Sequence, residues 1–269
     1  MNPSEEQFTQ RCTKEALAFI DRNKDRPFFL YLAELMVHVE VVASPDYVGK
    51  SPRGVYGDAC EELDWSVGQV LDHLKKLGLD GRTLVIYTSD NGATVARNYS
   101  VPQTSLGSNL PLRGHKFESW EGGSRTPCIF RWPGQIPAGR VSDEIVGVVD
   151  MLPTFAHLAG ATVPTDRAID GLNLWPFLHG DRPTSPRQTQ VYYGYPHSKK
   201  GGGEAIRVGP WKLVGKELFN LQTNLSEKTD VAIEHPEIVQ QLSAFQIEIA
   251  AALKADQLLP PPPALPAQK

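Results

Sequence analysis

The sequence lacks the long apolar runs and the leader pattern that direct a chain into or across a membrane. It contains no stretch of about 18 consecutive apolar residues, so no transmembrane helix is expected. Its N-terminal stretch, MNPSEEQFTQRC, is polar and acidic, which is the opposite of a signal peptide. We therefore expect no membrane partner, and the sequence leaves the cellular location open.

Cysteine is scarce, and positive charge is not in excess. The three cysteines, Cys12, Cys60 and Cys128, are widely spaced and form neither a zinc-binding pattern nor a disulfide framework. We expect them to be small buried hydrophobic residues. The formal net charge is −4, so no basic field indicates binding to nucleic acid.

Size and composition are those of an ordinary globular protein. The chain has 269 residues, of which 41% are hydrophobic and 22% are charged. This length is enough for a sizeable core, either in one large domain or in one domain with an appendage.

The most informative short stretch is TLVIYTSDNG, in which an apolar run ends at Asp90, Asn91 and Gly92. A DNG triplet is most often a tight turn, because Asn and Gly tolerate positive φ and Asp bonds its own backbone. The run before it, Leu84 to Tyr87, is typical of a buried parallel strand, and open α/β sheets place ligands beyond the carboxyl ends of such strands. Carboxylate and amide oxygens there suit Ca²⁺ or Mg²⁺. A turn and a metal site therefore both remain open.

Strand and helix patterns alternate over the first part of the chain. Apolar runs predict strands at Pro27–Ala33, Thr83–Tyr87 and Cys128–Trp132. Helices are predicted by the spacing of apolar residues and by terminal glycines at 8–19, 56–77 and 150–160. This order predicts an α/β fold with a mainly parallel sheet and flanking helices.

The C-terminal part has a different pattern, with short strand-like runs that follow one another closely. The stretch Glu204 to Val214 predicts two short strands around a Gly-Pro turn, and Glu217 to Leu221 predicts a third. A helix is predicted from Pro236, with its apolar face formed by Ile238, Leu242, Phe245, Ile249 and Leu253. These elements predict a small antiparallel α+β subdomain with a covering helix.

We therefore expect three segments. Residues 1–169 form a partial α/β domain, residues 170–257 the antiparallel subdomain, and residues 258–269 a proline-rich tail. The tail is expected to be extended and disordered, and a PxxP ligand for an SH3-type partner is the alternative.

Several motifs together resemble type I sulfatases of the arylsulfatase group. They are YTSDNG, LPLRGHKFESWEGGSRTPCIFRWPGQIPAG, VVDMLPTFAHLAG and DGLNLWPFL, with PFFLYLA followed by His38, and they occur in the family's order over roughly residues 8–245. The resemblance is to the C-terminal half of such enzymes. It implies an incomplete alkaline-phosphatase-like α/β fold with a smaller antiparallel subdomain. Full-length relatives are commonly periplasmic, secreted or lysosomal.

The resemblance also implies site residues. In the family a Ca²⁺ lies under the sulfate group, and Asp90 and Asn91 match two of its ligands, with Asp90 also orienting or deprotonating the nucleophile. Lys116 matches the lysine that contacts the sulfate and the bridging oxygen, and His38 matches the histidine on the leaving-group side. An imidazole can donate a proton where a carboxylate could not. The alternatives are a solvated surface lysine at Lys116 and a loop or core histidine at His38.

Residues near the matched lysine are expected to shape its backbone. Glu121, Gly122, Gly123 and Arg125 follow it closely and are interpreted as supporting residues. His115 receives no role from the match. Asp150 precedes a predicted helix and is interpreted as its N-cap.

Part of the family pattern is missing from these residues. The family's nucleophile is a formylglycine made from Cys or Ser in a C/S-x-P/A-x-R context, and none of the three cysteines fits it. The paired aspartates that complete the Ca²⁺ site and a GKWH-like stretch are also absent. We therefore expect the calcium site to be incomplete in this chain.

Three functions remain open. The first is a sulfuric ester hydrolase, acting on sulfate monoesters of a small molecule or a glycan in the complete protein. The second is a non-catalytic sulfatase remnant or binding protein. The third is a related phosphatase or phosphonate hydrolase, since phosphate and sulfate share size and shape. Self-association through an exposed sheet edge is a further expectation.

Overall fold

The computed structural model describes residues 5–95, 106–192 and 205–265. The chain divides into two compact units. The helical unit comprises Met1–Ile86, Ala93–Ser108 and Arg131–Gly134, and the sheet unit comprises Tyr87–Gly92, Asn109–Phe130 and Gln135–Lys269. Among the described residues, no helix combines the length and apolar character needed to cross a membrane.

Two long helices dominate the helical unit, as the periodicity predicts. Helix α1 spans Phe8–Asn23 after a short 3-10 turn, and α2 spans Gly54–Lys76. The helices pack together, and the Thr13 hydroxyl of α1 donates a buried 2.8 Å hydrogen bond to the Ser66 hydroxyl of α2. The core beside them contains Ile20, Leu74 and Leu79.

The predicted strand at 27–33 is wrong. This segment belongs to neither sheet of the described residues, and its side chains alternate between half-buried and exposed. Phe28 and Leu30 pack against the core of the helical unit, whereas Phe29 is 69% exposed and Tyr31 is 82% exposed. An extended backbone turns successive side chains to opposite faces, so the apolar composition of this run does not bury both of them.

Two of the predicted strands are present in the first sheet. Strand β1 spans Val85–Thr88 and β2 spans Cys128–Arg131, and they form a two-stranded sheet. Ile129 is 58% exposed, so β2 is not buried on both faces as its composition suggests.

The expectation of buried cysteines also fails at β2. Cys12 and Cys60 are half-buried, but Cys128 is exposed. It lies at the start of β2 beside the exposed Ile129, where the described residues leave the side chains open to solvent.

The sheet unit contains three short helices and a four-stranded sheet. The helices are α3 at Glu121–Ser124, α4 at Met151–Leu158 and α5 at Trp175–His179. The strands are antiparallel in the order of the chain: β3 Thr189–Tyr192, β4 Ala205–Val208, β5 Trp211–Val214 and β6 Glu217–Asn220. The sequence predicts β4, β5 and β6 but not β3.

Helix α6, Pro236–Lys254, covers this sheet as predicted. Its buried face packs on the strands in one apolar core, formed by Ile206, Val208, Trp211, Leu213, Leu218, Ile238, Leu242, Phe245 and Ile249. The tail that follows differs from the expected disordered segment. Leu259 and Leu265 pack against the same core, and the Leu259 amide donates a 3.0 Å hydrogen bond to Asp170. Residues 266–269 lie outside the described part.

Asp150 precedes α4, but its side chain does not cap that helix. The fully buried carboxylate binds the Arg187 guanidinium through two hydrogen bonds of 2.7 and 2.6 Å, and it accepts the amides of Gly147 and Leu172. A buried carboxylate requires such charge-assisted partners, which outweigh a capping bond. These bonds lie on both sides of the boundary expected after residue 169, and that boundary stays a prediction.

The backbone of the segment after β1 lies directly against the backbone of α3. The amide of Gly92 donates a 3.0 Å hydrogen bond to the carbonyl oxygen of Gly123. A Cβ atom at Gly92 would lie 1.8 Å from the carbonyl oxygen of Gly122. Only a residue without a side chain allows this approach, so the contact between the two backbones requires glycine at position 92.

We expect Gly92→Ala to destabilise the protein by about 1–3 kcal/mol, since the added methyl group forces two backbone segments apart. The control is Gly68→Ala in α2, where a Cβ atom meets nothing within 4 Å and alanine favours the helix. Urea unfolding measures both variants. Equal stability of the two would contradict the close approach at Gly92.

Candidate active site

The DNG triplet forms a turn that is bonded to itself. The Asn91 amide donates a 2.9 Å hydrogen bond to Oδ1 of Asp90, and the Ser89 hydroxyl donates to the Asn91 carbonyl oxygen at 3.1 Å. The Asp90 side chain is exposed and that of Asn91 is half-buried. The triplet therefore lies at a bend of the chain with Asp90 exposed, and the role of Asp90 and Asn91 as metal ligands stays a prediction.

A second contact fixes this turn to the chain around α3. The Thr126 hydroxyl donates a 3.2 Å hydrogen bond to the Ser89 carbonyl oxygen. Together with the bond from Gly92 to Gly123, it holds the turn at both ends. Asp90 and Asn91 thus lie in the same unit as Lys116, on a backbone that is joined to the segment following this lysine.

Lys116 lies in a tight loop that begins at Arg113 and ends at α3. The His115 carbonyl oxygen accepts the Glu118 amide at 3.0 Å, and the His115 ring nitrogens lie 2.7 Å from the Lys116 carbonyl oxygen and 3.1 Å from Glu118. His115, which the sequence leaves without a role, therefore contacts the backbone of Lys116. The Lys116 side chain is half-buried, and its Nζ lies 5.3 Å from the centroid of the Phe117 ring.

The two glycines of α3 close this loop. Gly122 donates its amide to the Arg113 carbonyl oxygen at 2.7 Å, and a Cβ atom there would lie 2.5 Å from that oxygen. A Cβ atom at Gly123 would lie 2.2 Å from the Glu118 carbonyl oxygen. These contacts support the expectation that both glycines shape the backbone beside Lys116.

Glu121, at the start of α3, is buried in a network of charged groups. Its Oε1 accepts hydrogen bonds from the Tyr192 hydroxyl at 2.6 Å and from Lys212 Nζ at 3.0 Å. Its Oε2 lies 3.5 Å from Arg207 and 3.8 Å from Arg125. Glu121 thus connects the loop to the four-stranded sheet.

Glu227 completes the network from another segment. Its Oε2 accepts the Glu121 amide at 2.8 Å, and its Oε1 forms an ion pair with Lys212 at 2.8 Å. The Arg113 guanidinium donates a 2.8 Å hydrogen bond to the Glu227 carbonyl oxygen. The sequence reasoning missed Glu227 and Lys212, and the only local signal was a lysine inside the otherwise apolar strand WKLV.

The network changes the acidity of its members. Burial opposes ionisation of Glu121, but Lys212, the Tyr192 hydroxyl and Arg207 outweigh burial and hold the pKa of this carboxyl below its usual value. Burial raises the pKa of Glu227 despite its contact with Lys212. Burial and the charge of Glu121 raise the pKa of Tyr192 well above its usual value, so the phenol stays a hydrogen-bond donor.

His38 lies in the helical unit rather than in the sheet unit. Its side chain is exposed, and Nδ1 lies 2.6 Å from the Val39 carbonyl oxygen. Its amide donates a 3.1 Å hydrogen bond to Leu35. The interpretation as a loop histidine describes this geometry, and its role towards a substrate stays a prediction.

The described residues do not make a complete metal site. Among them, no group of three or more His, Cys, Asp or Glu side chains could hold an ion. The Asp90 carboxylate has two oxygens and the Asn91 amide has one, whereas Ca²⁺ takes about 6–8 oxygen ligands. These two residues fit as part of a calcium site, and they do not form one by themselves.

Curated relatives match most of the chain. Steryl-sulfatase from Homo sapiens is 47% identical over 190 residues, which cover 71% of this chain and 33% of the relative. N-acetylgalactosamine-6-sulfatase from Canis lupus familiaris is 45% identical over 189 residues, which cover 68% of this chain and 35% of the relative. The chain thus spans about a third of the length of these relatives.

Solved structures share the fold. The PsFucS1 sulfatase from Pseudoalteromonas sp. has a TM-score of 0.81 and 26% identity, covering 93% of this chain and 54% of that one. The phosphonate monoester hydrolase SpPMH from Silicibacter pomeroyi has a TM-score of 0.67 at 21% identity, covering 91% of this chain and 60% of that one. The fold is therefore alkaline-phosphatase-like α/β, with a small antiparallel sheet in the C-terminal part.

Two family models cover the chain almost from end to end. The model described as N-sulphoglucosamine sulphohydrolase, C-terminal, matches residues 115–249, which include Lys116 and the four-stranded sheet. The model described as Sulfatase matches residues 1–161, more than half of the chain, and includes His38, Asp90, Asn91 and Lys116. The chain belongs to the sulfatase family.

Proposed function

We propose that this chain supplies the C-terminal part of the active site of a sulfuric ester hydrolase. The observation that carries the proposal is the backbone bond between Gly92 and Gly123, which joins the turn bearing Asp90 and Asn91 to the loop bearing Lys116. The candidate metal ligands and the candidate sulfate-binding cation are thereby held on one framework. In the complete protein, the reaction would be the hydrolysis of sulfate monoesters.

Lys116 is assigned the contact to the sulfate group. Hydrolysis of a sulfate monoester increases negative charge on the bridging oxygen, and a fixed cation stabilises that charge more strongly in the transition state than in the ground state. The half-buried position suits this role, because the residue is not enclosed while its loop backbone is fixed. A freely solvated lysine on a mobile segment would lose this advantage.

His38 is assigned to the leaving-group side of the substrate. An imidazole there would donate a proton to the departing alkoxide or phenoxide, which lowers the barrier to bond cleavage. The residue is exposed, and its Nδ1 lies 2.6 Å from the Val39 carbonyl oxygen. The assignment rests on the family match at this position.

Sulfatases generally use Ca²⁺ and a formylglycine nucleophile, and we propose Asp90 and Asn91 as two ligands of that ion. Bound calcium would neutralise the charge of the sulfate group and orient it. The remaining ligands and the nucleophile would come from the part of the family pattern that these 269 residues do not contain. The substrate is a sulfate ester of a small molecule or a glycan.

The alternative is a non-catalytic remnant or binding protein, and the missing nucleophile motif favours it. A phosphonate hydrolase is the weaker alternative, because the likeness to SpPMH concerns the fold alone. The hydrolase and the non-catalytic remnant predict different results when the missing nucleophile and metal ligands are supplied: only the hydrolase becomes active.

We expect the purified chain to show no turnover of 4-nitrocatechol sulfate, because its cysteines do not provide the family's nucleophile. A fusion that places the N-terminal part of human steryl-sulfatase ahead of this chain, with formylglycine installed, should hydrolyse the same ester. In the fusion, Lys116→Ala should reduce kcat by about 100-fold or more, the scale of a lost oxyanion contact.

Lys216→Ala, at the exposed turn between β5 and β6, is the matched control for this loss and should retain activity. An inactive, folded fusion would contradict the proposed function and favour the non-catalytic alternative. Turnover by the chain alone would contradict the role given to the missing nucleophile.

A second expectation concerns calcium. The chain alone should bind Ca²⁺ with a dissociation constant no tighter than about 1 mM, because these two side chains leave most of the coordination shell to water. Isothermal titration calorimetry measures it, with Asp64→Ala in the exposed face of α2 as the control. A micromolar site that disappears in Asp90→Ala would show that the site is complete.

We further propose that the chain self-associates through the extended segment around Phe29 and Tyr31. These large side chains are 69% and 82% exposed, and exposed aromatic residues close together in the chain favour association. The double variant Phe29→Ser, Tyr31→Ser should shift the protein towards monomer in light scattering. Ile233→Ser, at a side chain that is 96% exposed in the sheet unit, should leave the association unchanged. A monodisperse monomer of the unmodified chain would refute the proposal.

A further inference from the structure

We propose that Lys212 is a positioning residue for Lys116, acting from the C-terminal sheet through Glu227 and Glu121. The inference rests on the proposed function of Lys116 as the sulfate contact. It assigns to a buried lysine of β5 a role in holding the loop on which the substrate-binding lysine lies.

Lys212 occupies a position in which a lysine side chain is rarely found. It is fully buried in β5, with Arg207 opposite on β4 and Phe219 opposite on β6. Its Nζ lies 3.0 Å from Glu121, 2.8 Å from Glu227 and 4.0 Å from the centroid of the Tyr192 ring. A lysine is almost never fully buried unless it is paired, and here it bridges two carboxylates from different segments.

Through Glu227, this bridge reaches both ends of the loop. The Glu227 carboxylate accepts the amide of Glu121 at the C-terminal end, and the Glu227 carbonyl oxygen accepts the Arg113 guanidinium at the N-terminal end. The Arg113 guanidinium also stacks 3.5 Å over the Trp120 ring, which closes the loop on itself. Lys116 lies between these two attachments, which hold both ends of its loop.

The backbone angles indicate a conformation that needs such support. Phe117, directly after Lys116, has φ of 78°, and Glu227 has φ of 49°. Non-glycine residues rarely adopt the left-handed region, and they persist there only where the surrounding structure fixes them. The described residues contain one other such position, Asp256, and it lies outside this network.

Stability alone does not explain the bridge. Apolar side chains of similar volume usually stabilise a core as well as a buried ion pair does, so such a pair is weak support for stability. The bridge also makes directional bonds: Lys212 binds two carboxylates, and one of them accepts a backbone amide. Such bonds fix the position of the loop backbone, which apolar contacts do not. A fixed backbone is required if the loop is to hold the Lys116 ammonium at one position beside an anion.

Amide hydrogen exchange on the full chain tests the inference without requiring any activity. The reporting amides are those of Gly122 and Gly123 beside the loop, and the reference amides are those of Leu221 and Val231, which bond the carbonyl oxygens of Pro210 and Leu218. The first variant is Tyr192→Phe, which removes one hydrogen bond to Glu121 and keeps Lys212 in place.

In Tyr192→Phe, the loop amides should exchange about tenfold faster, the scale of a lost hydrogen bond to a charged group, while the reference amides change by less than about twofold. Lys212→Met, which keeps most of the stem and removes the charge, should accelerate the loop amides about 100-fold. Lys216→Met, at the exposed turn between β5 and β6, is the matched control and should change neither set.

Equal acceleration of the loop and reference amides in Tyr192→Phe would overturn the inference, because the network would then serve only global stability. Unchanged loop amides in both network variants would overturn it as well. In the active fusion, Tyr192→Phe should lower kcat with little change in KM, since a displaced Lys116 loses contact mainly with the transition state. An inactive fusion would contradict the proposed function and leave the exchange result standing.

Discussion

The carboxylate of Glu121 is removed from water, and the residue receives its partners from four separate segments of the chain. Tyr192 and Lys212 bond one oxygen, Arg207 approaches the other, and Glu227 accepts the amide of the same residue. A buried carboxylate without such partners would cost several kcal/mol, so the segments that carry them must assemble together. The loop, the short helix α3 and the four-stranded sheet are therefore one cooperative structure, and the position of Lys116 depends on all of it.

Two lysines illustrate how position decides chemical role. Lys116 is half-buried on a loop, where its ammonium can meet a ligand, and Lys212 is fully buried, where its ammonium is occupied by two carboxylates. Phe117, directly after Lys116, is in the left-handed region, and the glycines of α3 contact the loop backbone, so the loop has a defined conformation at this lysine.

The sequence predicts those parts of the fold that depend on local patterns. The long helices and the strand before Asp90 follow from spacing and composition, and the covering helix α6 is evident from its apolar face. The segment 27–33 is mispredicted, because composition does not reveal which face of an extended run finds cover. Lys212 and Glu227 could not be assigned from sequence, because the contact from Lys212 to Glu121 spans 91 positions and no local pattern records it. The family match supplied Lys116 and His38, whereas the apolar run that ends at Asp90 and Asn91 already left a turn or a metal site open at this point.

Electrostatics explains why the buried network around Glu121 contains positive as well as negative side chains. A sulfate ester is negatively charged, and Glu121 and Glu227 belong to the structure that holds its proposed cation. Two uncompensated carboxylates in a medium of low dielectric would project a repulsive field towards the substrate and oppose the attraction of Lys116. Lys212 and Arg207 supply two positive charges against these two negative ones, at distances of 2.8 to 3.5 Å. The network can therefore use the directional bonds of carboxylates to fix the loop while adding almost no net charge, and the ammonium of Lys116 keeps its full effect on an approaching anion.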